Sequence, residues 1–158
     1  MKMHIFTVYV EDLPGVLNRV ASLFRRRNFN IISLAVGHSE TPGVSRMTIV
    51  VQTDAGGAQR IAAHLYKLIN VLRVEDITDH PAVVRDLALI KVSADREHRP
   101  PLMQLAEVFG ARVVDTTIES FVFEITGKPT KIDSFIAIMV PLGLVEVVRT
   151  GLAAIARG

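Results

Sequence analysis

The stretch that decides the fold is HIFTVYVEDLPGVLNRVASLFRRRNFNIISLAV, residues 4–36. Residues 4–10 are rich in β-branched and aromatic side chains, which predicts a strand. From Leu17 onward apolar residues recur at helical spacing, which predicts an amphipathic helix that ends near Asn28. Residues 31–36 return to a composition typical of strands. This stretch therefore predicts the order strand, turn, helix, strand.

The following residues extend this order by two strands and one helix. Residues 45–53 predict a strand, joined to the preceding one by a loop with Pro42 and Gly43. Apolar residues from Ala58 to Ile69 form a second helical stripe, and residues 71–78 predict a closing strand. The first half of the chain thus has the predicted order βαββαβ.

The second half repeats this order. Its predicted strands are 86–93, 111–118, 120–126 and 144–149, and its predicted helices are 101–109 and 132–139. We therefore predict an α+β fold of two tandem ferredoxin-like βαββαβ domains, each a split βαβ unit. The boundary is placed at Asp79-His80-Pro81, since proline disfavours continued regular structure. The predicted domains are residues 1–79 and 80–158.

The composition is that of a globular protein with little net charge. Of 158 residues, 49% are hydrophobic and 22% are charged, and the net charge is +2. The only dense basic run, Arg25-Arg26-Arg27, is typical of a solvated helix C-terminus, where cations complement the helix dipole. Phosphate binding is the alternative for this run, but no aromatic residues interleave with it. We therefore predict no nucleic-acid partner.

Cysteine is absent, which excludes disulfides and cysteine-ligated metals. The most apolar late stretch, residues 132–148, is interrupted by Asp133, Pro141, Gly143 and Glu146. It is too interrupted for a membrane span of about 20 apolar residues. The chain begins directly with strand-like sequence and no secretion signal. We therefore expect a cytoplasmic protein with no membrane partner.

The sequence offers no catalytic constellation. None of the five histidines pairs with another at the spacing of a helical metal site. Nucleophile-elbow, phosphate-loop and dinucleotide-binding motifs are also absent. The adjacent carboxylates Glu11-Asp12 and Glu75-Asp76 point to opposite faces of an extended segment, so neither forms a natural acid–base pair. We predict no catalytic residue, no metal and no cofactor in this chain.

One turn, Asp12 to Leu17, has the features of a small-anion site. Pro14 suits a first helical turn, and Asp12 suits the N-cap region. Gly15 leaves the unpaired N–H donors of the helix start uncovered, so a small carboxylate can dock there. Asp12 and Asn30 can then accept hydrogen bonds from the ammonium group of an amino acid. The simpler alternative, in which Asp12 only caps and Gly15 only turns, stays open on these residues alone.

Longer segments resemble a known family. Residues 12–17 are similar to the ligand loop of ACT domains, small βαββαβ modules that bind amino acids. The chain further resembles the small subunits of acetolactate synthase. The segments that carry this resemblance are VEDLPGVLNRVASLFRRRNFNIISLAVG (10–37), SRMTIVV (45–51), KLINVLRVEDIT (67–78), ALIKVSADRE (88–97), KIDSFI (131–136) and EVVRTGLAAIARG (146–158). The resemblance covers essentially the whole chain in one register.

This resemblance implies a regulatory function. Small subunits of this family are not catalytic, and they activate a separate large catalytic subunit. That subunit uses thiamine diphosphate, Mg²⁺ and FAD to condense pyruvate with pyruvate or 2-oxobutyrate. The small subunits confer feedback inhibition by valine or another branched-chain amino acid. Their ACT domains pair as a homodimer with the effector at the interface. We therefore expect a large-subunit partner, a homodimer and valine as the effector.

The resemblance also implies an effector site. Gly15 matches the family's glycine and Asn30 its asparagine, whereas Asp12 stands where many members carry asparagine. A carboxylate at this position favours the ammonium group of the effector and disfavours its carboxylate. The expected site is completed by Leu13, Pro14, Val16, Leu17 and Ile31. Among these, the apolar side chains near the turn are expected to line a branched-chain pocket.

Two alternatives belong to other functional classes. A free-standing ACT-type sensor would bind amino acids and regulate some other protein. A small enzyme with a ferredoxin-like fold would need a reactive polar cluster, and fold alone never settles function.

Overall fold

A computed structural model describes all residues from Met1 to Gly158. The strands are β1 (Lys2–Glu11), β2 (Ile31–His38), β3 (Val44–Thr53), β4 (Val71–Asp76), β5 (Ala82–Ser93), β6 (Arg112–Thr116), β7 (Ser120–Gly127), β8 (Leu144–Arg149) and β9 (Ala153–Ala156). The helices are α1 (Val16–Arg26), α2 (Ala55–Tyr66), α3 (Arg99–Phe109) and α4 (Pro129–Met139), and a 3-10 turn spans Val140–Leu142. The order βαββαβ occurs twice, so the predicted α+β fold is confirmed. Strand β9 was not predicted.

The chain forms two compact units. One comprises Met1–Val83 together with Leu152–Gly158, and the other comprises Val84–Gly151. The sequence predicts a division between residues 79 and 80, with residues 80–158 in the second domain. The contacts instead place Leu152–Gly158 with the first unit.

The first unit is built on an antiparallel sheet with strand order β2-β3-β1-β4. Alternation along β1 sends Phe6 and Val8 to the face that α1 and α2 cover. Their partners across the sheet are Ile49 and Met47, and all four side chains are buried. The helices contribute further buried residues to this core, namely Val20, Leu23, Phe24, Ile61 and Leu65. Burying each such side chain contributes about 1.5–3 kcal/mol, so this core holds α1 against the sheet.

The opposite face of this sheet is met by the segment that carries β9. Tyr9 and Arg46 are paired across β1 and β3, and alternation turns their side chains away from the helices. The Arg46 guanidinium donates to the Tyr9 hydroxyl at 2.6 Å and to the Ala154 carbonyl at 2.8 Å. Leu152 and Ala154 are themselves buried. Residues 152–158 therefore act as a cover for this sheet face.

The second unit has its own sheet and core. Its strands lie in the order β6-β7-β5-β8, with β5 antiparallel to both of its neighbours. The core centres on Phe123 and Phe135, whose rings meet edge to face with centroids 5.7 Å apart. Phe109 packs on Phe135 from α3 at 5.3 Å. No helix in either unit is long and apolar enough to cross a membrane.

One helical prediction was wrong at its end. Helix α2 stops at Tyr66, and a tighter turn follows in which Lys67 and Leu68 donate to the carbonyls of His64 and Leu65. Ile69 is 92% exposed and does not continue the apolar stripe. Apolar spacing over a few residues does not distinguish an α-helix from the tighter turn that follows it, because the two have similar numbers of residues per turn.

Candidate functional site

The candidate site lies where β1 ends and α1 begins, and a polar network anchors its base. The Glu11 backbone N–H donates to the Asn70 carbonyl at 2.9 Å, and the Asn70 side-chain amide donates to Glu11 Oε2 at 3.0 Å. Arg19, on the first turns of α1, donates to Asn70 Oδ1. Because Asn70 is buried and satisfied on both sides, it ties the end of β1 to the start of β4 and to α1.

Backbone hydrogen bonds then shape the turn. The Asp12 N–H donates to the Gly43 carbonyl at 2.9 Å, which joins the turn to the β2–β3 loop. The Leu13 N–H donates to the Glu11 carbonyl at 2.9 Å. Gly15 has φ +86°, in the left-handed region that glycine adopts at little cost. The glycine is therefore required by the backbone path into α1.

Asp12 does not cap the helix, contrary to the prediction. The N-cap position is Gly15, no side chain caps α1, and Pro14 precedes the first helical turn. Asp12 lies too early in the chain, because the left-handed Gly15 delays the start of the helix. The Asp12 carboxylate instead lies beside His38, with Oδ2 3.4 Å from Nδ1.

The start of α1 presents several free donors. No hydrogen bond within the chain uses the backbone N–H groups of Gly15, Leu17 or Asn18. The first turn of α1 carries no acidic residue that would compensate them. Such donors, with the partial positive charge of the helix end, suit a small carboxylate. A β-carbon on Gly15 would meet no atom within 4 Å, so the space beside Gly15 is open.

The apolar residues of the turn divide into two groups. Leu13 and Leu17 are 53% and 44% exposed, so both are available to a ligand. Val16 is buried in the core of the first unit and faces the sheet. The exposed pair is therefore the part of the turn that can meet an apolar ligand side chain.

Within one chain, Asn30 and Ile31 lie at the opposite end of the sheet from Gly15, measured along the strands. Both β1 and β2 are antiparallel to β3, so they run in the same direction. His38 is level with Val10 through Ser45, whereas Ile31 is level with His4 through Val51. At about 3.3 Å per residue, the start and end of β2 are about 23 Å apart. Asn30 and Ile31 instead line a groove beside the second half of α1, with Phe24, Asn28 and Phe29.

Sequence reasoning missed three residues of this site. Asn70 anchors the turn, Gly43 accepts its amide, and His38 lies beside Asp12. They come from the β4 start and from the β2–β3 region, so no local pattern links them to residues 12–17. Strands β1 and β2 both pair with β3 and finish at the same end of the sheet. The strand order was therefore the signal that could have indicated His38. The site contains no grouping of side chains suited to a metal ion.

Comparisons with known proteins cover both halves of the chain. Residues 6–73 match a family model described as AHAS small subunit-like ACT domain. Residues 85–158 match one described as small subunit of acetolactate synthase.

Individual relatives match over nearly the full length. The acetolactate synthase small subunit of Mycolicibacterium smegmatis is 44% identical, over 98% of this chain and 91% of that protein. The probable acetolactate synthase small subunit of Archaeoglobus fulgidus is 46% identical, over 98% of this chain and 97% of that protein. The crystal structure of the acetolactate synthase small subunit from Thermotoga maritima has a TM-score of 0.93 at 38% identity, and covers 100% of this chain and 99% of that one.

Proposed function

Because this chain belongs to the family of acetolactate synthase small subunits, we propose that it is the non-catalytic regulatory subunit of that synthase. In this proposal it activates a separate catalytic subunit and confers feedback inhibition by a branched-chain amino acid, most simply valine. The observation that carries the proposal is the open set of N–H donors at Gly15, Leu17 and Asn18, in the part of the chain that matches the ACT-domain family model.

Each part of an amino acid has a complementary group at this turn. The effector carboxylate accepts hydrogen bonds from the free N–H groups at the start of α1. The ammonium group donates to the Asp12 carboxylate, which is 47% exposed. The branched side chain packs on Leu13 and Leu17, which are otherwise exposed. We therefore assign effector binding to the first predicted domain, residues 1–79.

The position of Asn30 supports a homodimer in this proposal. Asn30 and Gly15 lie at opposite ends of the sheet along the strand direction, so both cannot contact one small amino acid within a single chain. Strand β2 is an edge strand, and antiparallel pairing of two β2 strands places the start of one beside the end of the other. Asn30 of the partner subunit would then lie near Gly15 of the first. This arrangement gives the effector site residues from both copies.

Reconstitution tests the proposal. The chain is mixed with the catalytic subunit of acetolactate synthase from the same source, and acetolactate formation is measured with and without valine. We expect no activity from this chain alone, a higher rate on mixing, and reversal of that gain by valine. An unchanged rate on mixing contradicts the proposal. Calorimetric binding of valine by a chain without any effect on the synthase would indicate a free-standing sensor instead.

A panel of effectors completes this experiment. Valine, isoleucine and leucine differ by one methylene or by its position, which an apolar pocket discriminates by only about 1–3 kcal/mol. We therefore expect all three to inhibit, and we expect valine, the effector that the family resemblance implies, to act at the lowest concentration. Inhibition by an unrelated amino acid alone would contradict the assignment of the apolar contacts to Leu13 and Leu17.

A further inference from the structure

A basic groove lies between the C-terminal ends of α1 and α2. It is lined by Leu23, Arg26 and Arg27 of α1 and its end, and by His64, Lys67 and Leu68 of α2 and its end. No carboxylate lines the groove. It is at the other end of α1 from Gly15, and 11 residues at about 1.5 Å each separate the two ends by roughly 16 Å.

The positive charge of the basic groove is not compensated within the chain. Arg26, Arg27 and Lys67 form no ion pair with any carboxylate of this protein. The C-termini of the two helices supply only about half a negative charge each. The three permanent cations therefore exceed what complementing the helix dipoles requires.

His64 responds to this local charge. Its pKa is lowered from the ordinary value by burial and then by the neighbouring cations Arg27, Lys67 and Arg60. Those cations belong to both helices, so their fields converge on the groove. A cation is disfavoured here, and an anion is favoured by the same field.

The geometry favours an extended acidic surface over a compact phosphate. The groove offers a phosphate only the mobile side chains of Arg26, Arg27 and Lys67, because helix C-termini present carbonyl oxygens and not the fixed backbone N–H donors found at helix N-termini. An acidic protein segment needs only complementary charge, because long-range attraction steers it to a basic surface. No aromatic side chain lines the groove on which nucleic-acid bases could stack.

We propose that the basic groove is a docking surface for an acidic segment of the catalytic subunit. The inference rests on the proposed function, because it takes that subunit as the partner. Docking at this end of α1 leaves the effector turn at Gly15 free, so binding of the partner and binding of the effector do not compete for one surface. Charge attraction through exposed arginine and lysine side chains mainly accelerates association.

The test compares two full-length variants that change net charge equally. R26E/R27E reverses two cations of the basic groove, and R96E/K128E reverses two exposed cations of the second unit. Association with the catalytic subunit is followed by biolayer interferometry at low and at high ionic strength. We expect R26E/R27E to associate at least about tenfold more slowly at low salt, with little difference at high salt. The control is expected to associate at nearly the native rate.

Further measurements separate this proposal from misfolding and from the function itself. Circular dichroism checks the fold of R26E/R27E. If that variant unfolds, R60E/K67E replaces it, which reverses Lys67 of the groove and Arg60 of α2, a cation that acts on His64. At saturating concentration the folded variant should still activate the synthase and respond to valine. If the native chain activates and both groove variants associate at the native rate, the docking proposal is overturned. An equal slowing by the control overturns it too, since net charge alone would then explain the effect. If the native chain does not activate, the proposed function itself fails.

Discussion

His38 Nδ1 lies 3.4 Å from Asp12 Oδ2, at the end of the first sheet where both β1 and β2 finish. Asp12 precedes Gly15 by three residues, and the Gly15 N–H is the first of the free donors at the start of α1. Replacing the charged Asp12 is therefore the most direct test of the electrostatics of this site.

Asp12→Asn is expected to weaken effector binding. The amide still accepts a hydrogen bond from the effector ammonium group, but the charge attraction between the Asp12 carboxylate and that ammonium group is lost, and it exceeds the repulsion from the more distant effector carboxylate. Two exposed charges about 4 Å apart interact by about 1 kcal/mol, which corresponds to roughly a fivefold change in affinity. Calorimetry and the valine concentration for half inhibition measure the change. Asp95→Asn is the matched control, because Asp95 is an exposed aspartate beside His98 in the second unit. Unchanged or tighter valine binding in Asp12→Asn would contradict the prediction.

Gly15→Asp is expected to abolish valine inhibition while activation of the synthase largely survives. Any side chain here pays about 1–2 kcal/mol for the left-handed backbone, but only aspartate also places a negative charge at the anion-binding donors. Gly15→Ala is the control for strain alone, and there is open space for its methyl group. Synthase assays with a valine titration separate the two variants. Equal losses in both would show that strain, and not charge, disables the site.

Val36→Lys is expected to weaken the proposed homodimer. Val36 lies on edge strand β2 and is 47% exposed, so a lysine there would be buried unfavourably if two β2 strands pair. Leu72→Lys is the control, since Leu72 lies on the opposite edge strand β4 with 48% exposure. Sedimentation velocity should show dissociation only for Val36→Lys. We also expect its valine affinity to fall, because the proposed site needs Asn30 of the partner subunit.

Arg27→Gln is expected to raise the pKa of His64. In the native chain burial and then Arg27, Lys67 and Arg60 lower this pKa, so removing one cation makes protonation easier. An NMR titration of the histidine Cε1 protons measures the shift directly. A folded-state pKa below the unfolded value also means that protonation opposes folding. The contribution of His64 to stability is therefore lost as the pH falls through the unfolded value of 6.5 and the lowered folded value. An unchanged pKa in Arg27→Gln would argue against converging charge at the basic groove.

Leu152→Ala is expected to destabilise the first unit by about 2 kcal/mol, the lower range for a buried leucine. Leu152 is buried on the sheet face away from the helices, whereas Ile155 of the same segment is 57% exposed. Ile155→Ala is therefore a control that should change stability by less than about 0.5 kcal/mol. The chain has no tryptophan, and both tyrosines, Tyr9 and Tyr66, belong to the first unit. Tyrosine fluorescence in a urea titration thus reports on this unit alone.

The sequence predicted regular elements well and their junctions less well. Period-two and helical spacing located all four helices and eight of the nine strands, because each buries one face against a core. Strand β9 was not predicted, because its four residues, Ala153 to Ala156, are too few to show the alternation of a strand. Ile69 was misplaced because apolar spacing does not indicate where a helix ends.

The candidate site was predicted only in its local part. The turn from Asp12 to Leu17 is continuous in sequence, so glycine and helix-start signals were readable there. The Asp12–His38 pair depends on strand order, which local patterns do not encode. The distance between Asn30 and Gly15 depends on the direction of β2, and the sequence placed them together only through family resemblance. The roles of both residues in effector binding stay predictions.

The cover formed by residues 152–158 has a consequence for synthesis on the ribosome. The first unit is discontinuous in the chain, because Val84–Gly151 is made between its sheet and its cover. At about 5–20 residues per second, residues 84–158 take about 4–15 s to translate. During that interval one face of the nascent first sheet lacks the cover formed by residues 152–158, and a chaperone that recognises apolar surface has time to bind it. The whole of the second unit is therefore synthesised before the first unit can be completed.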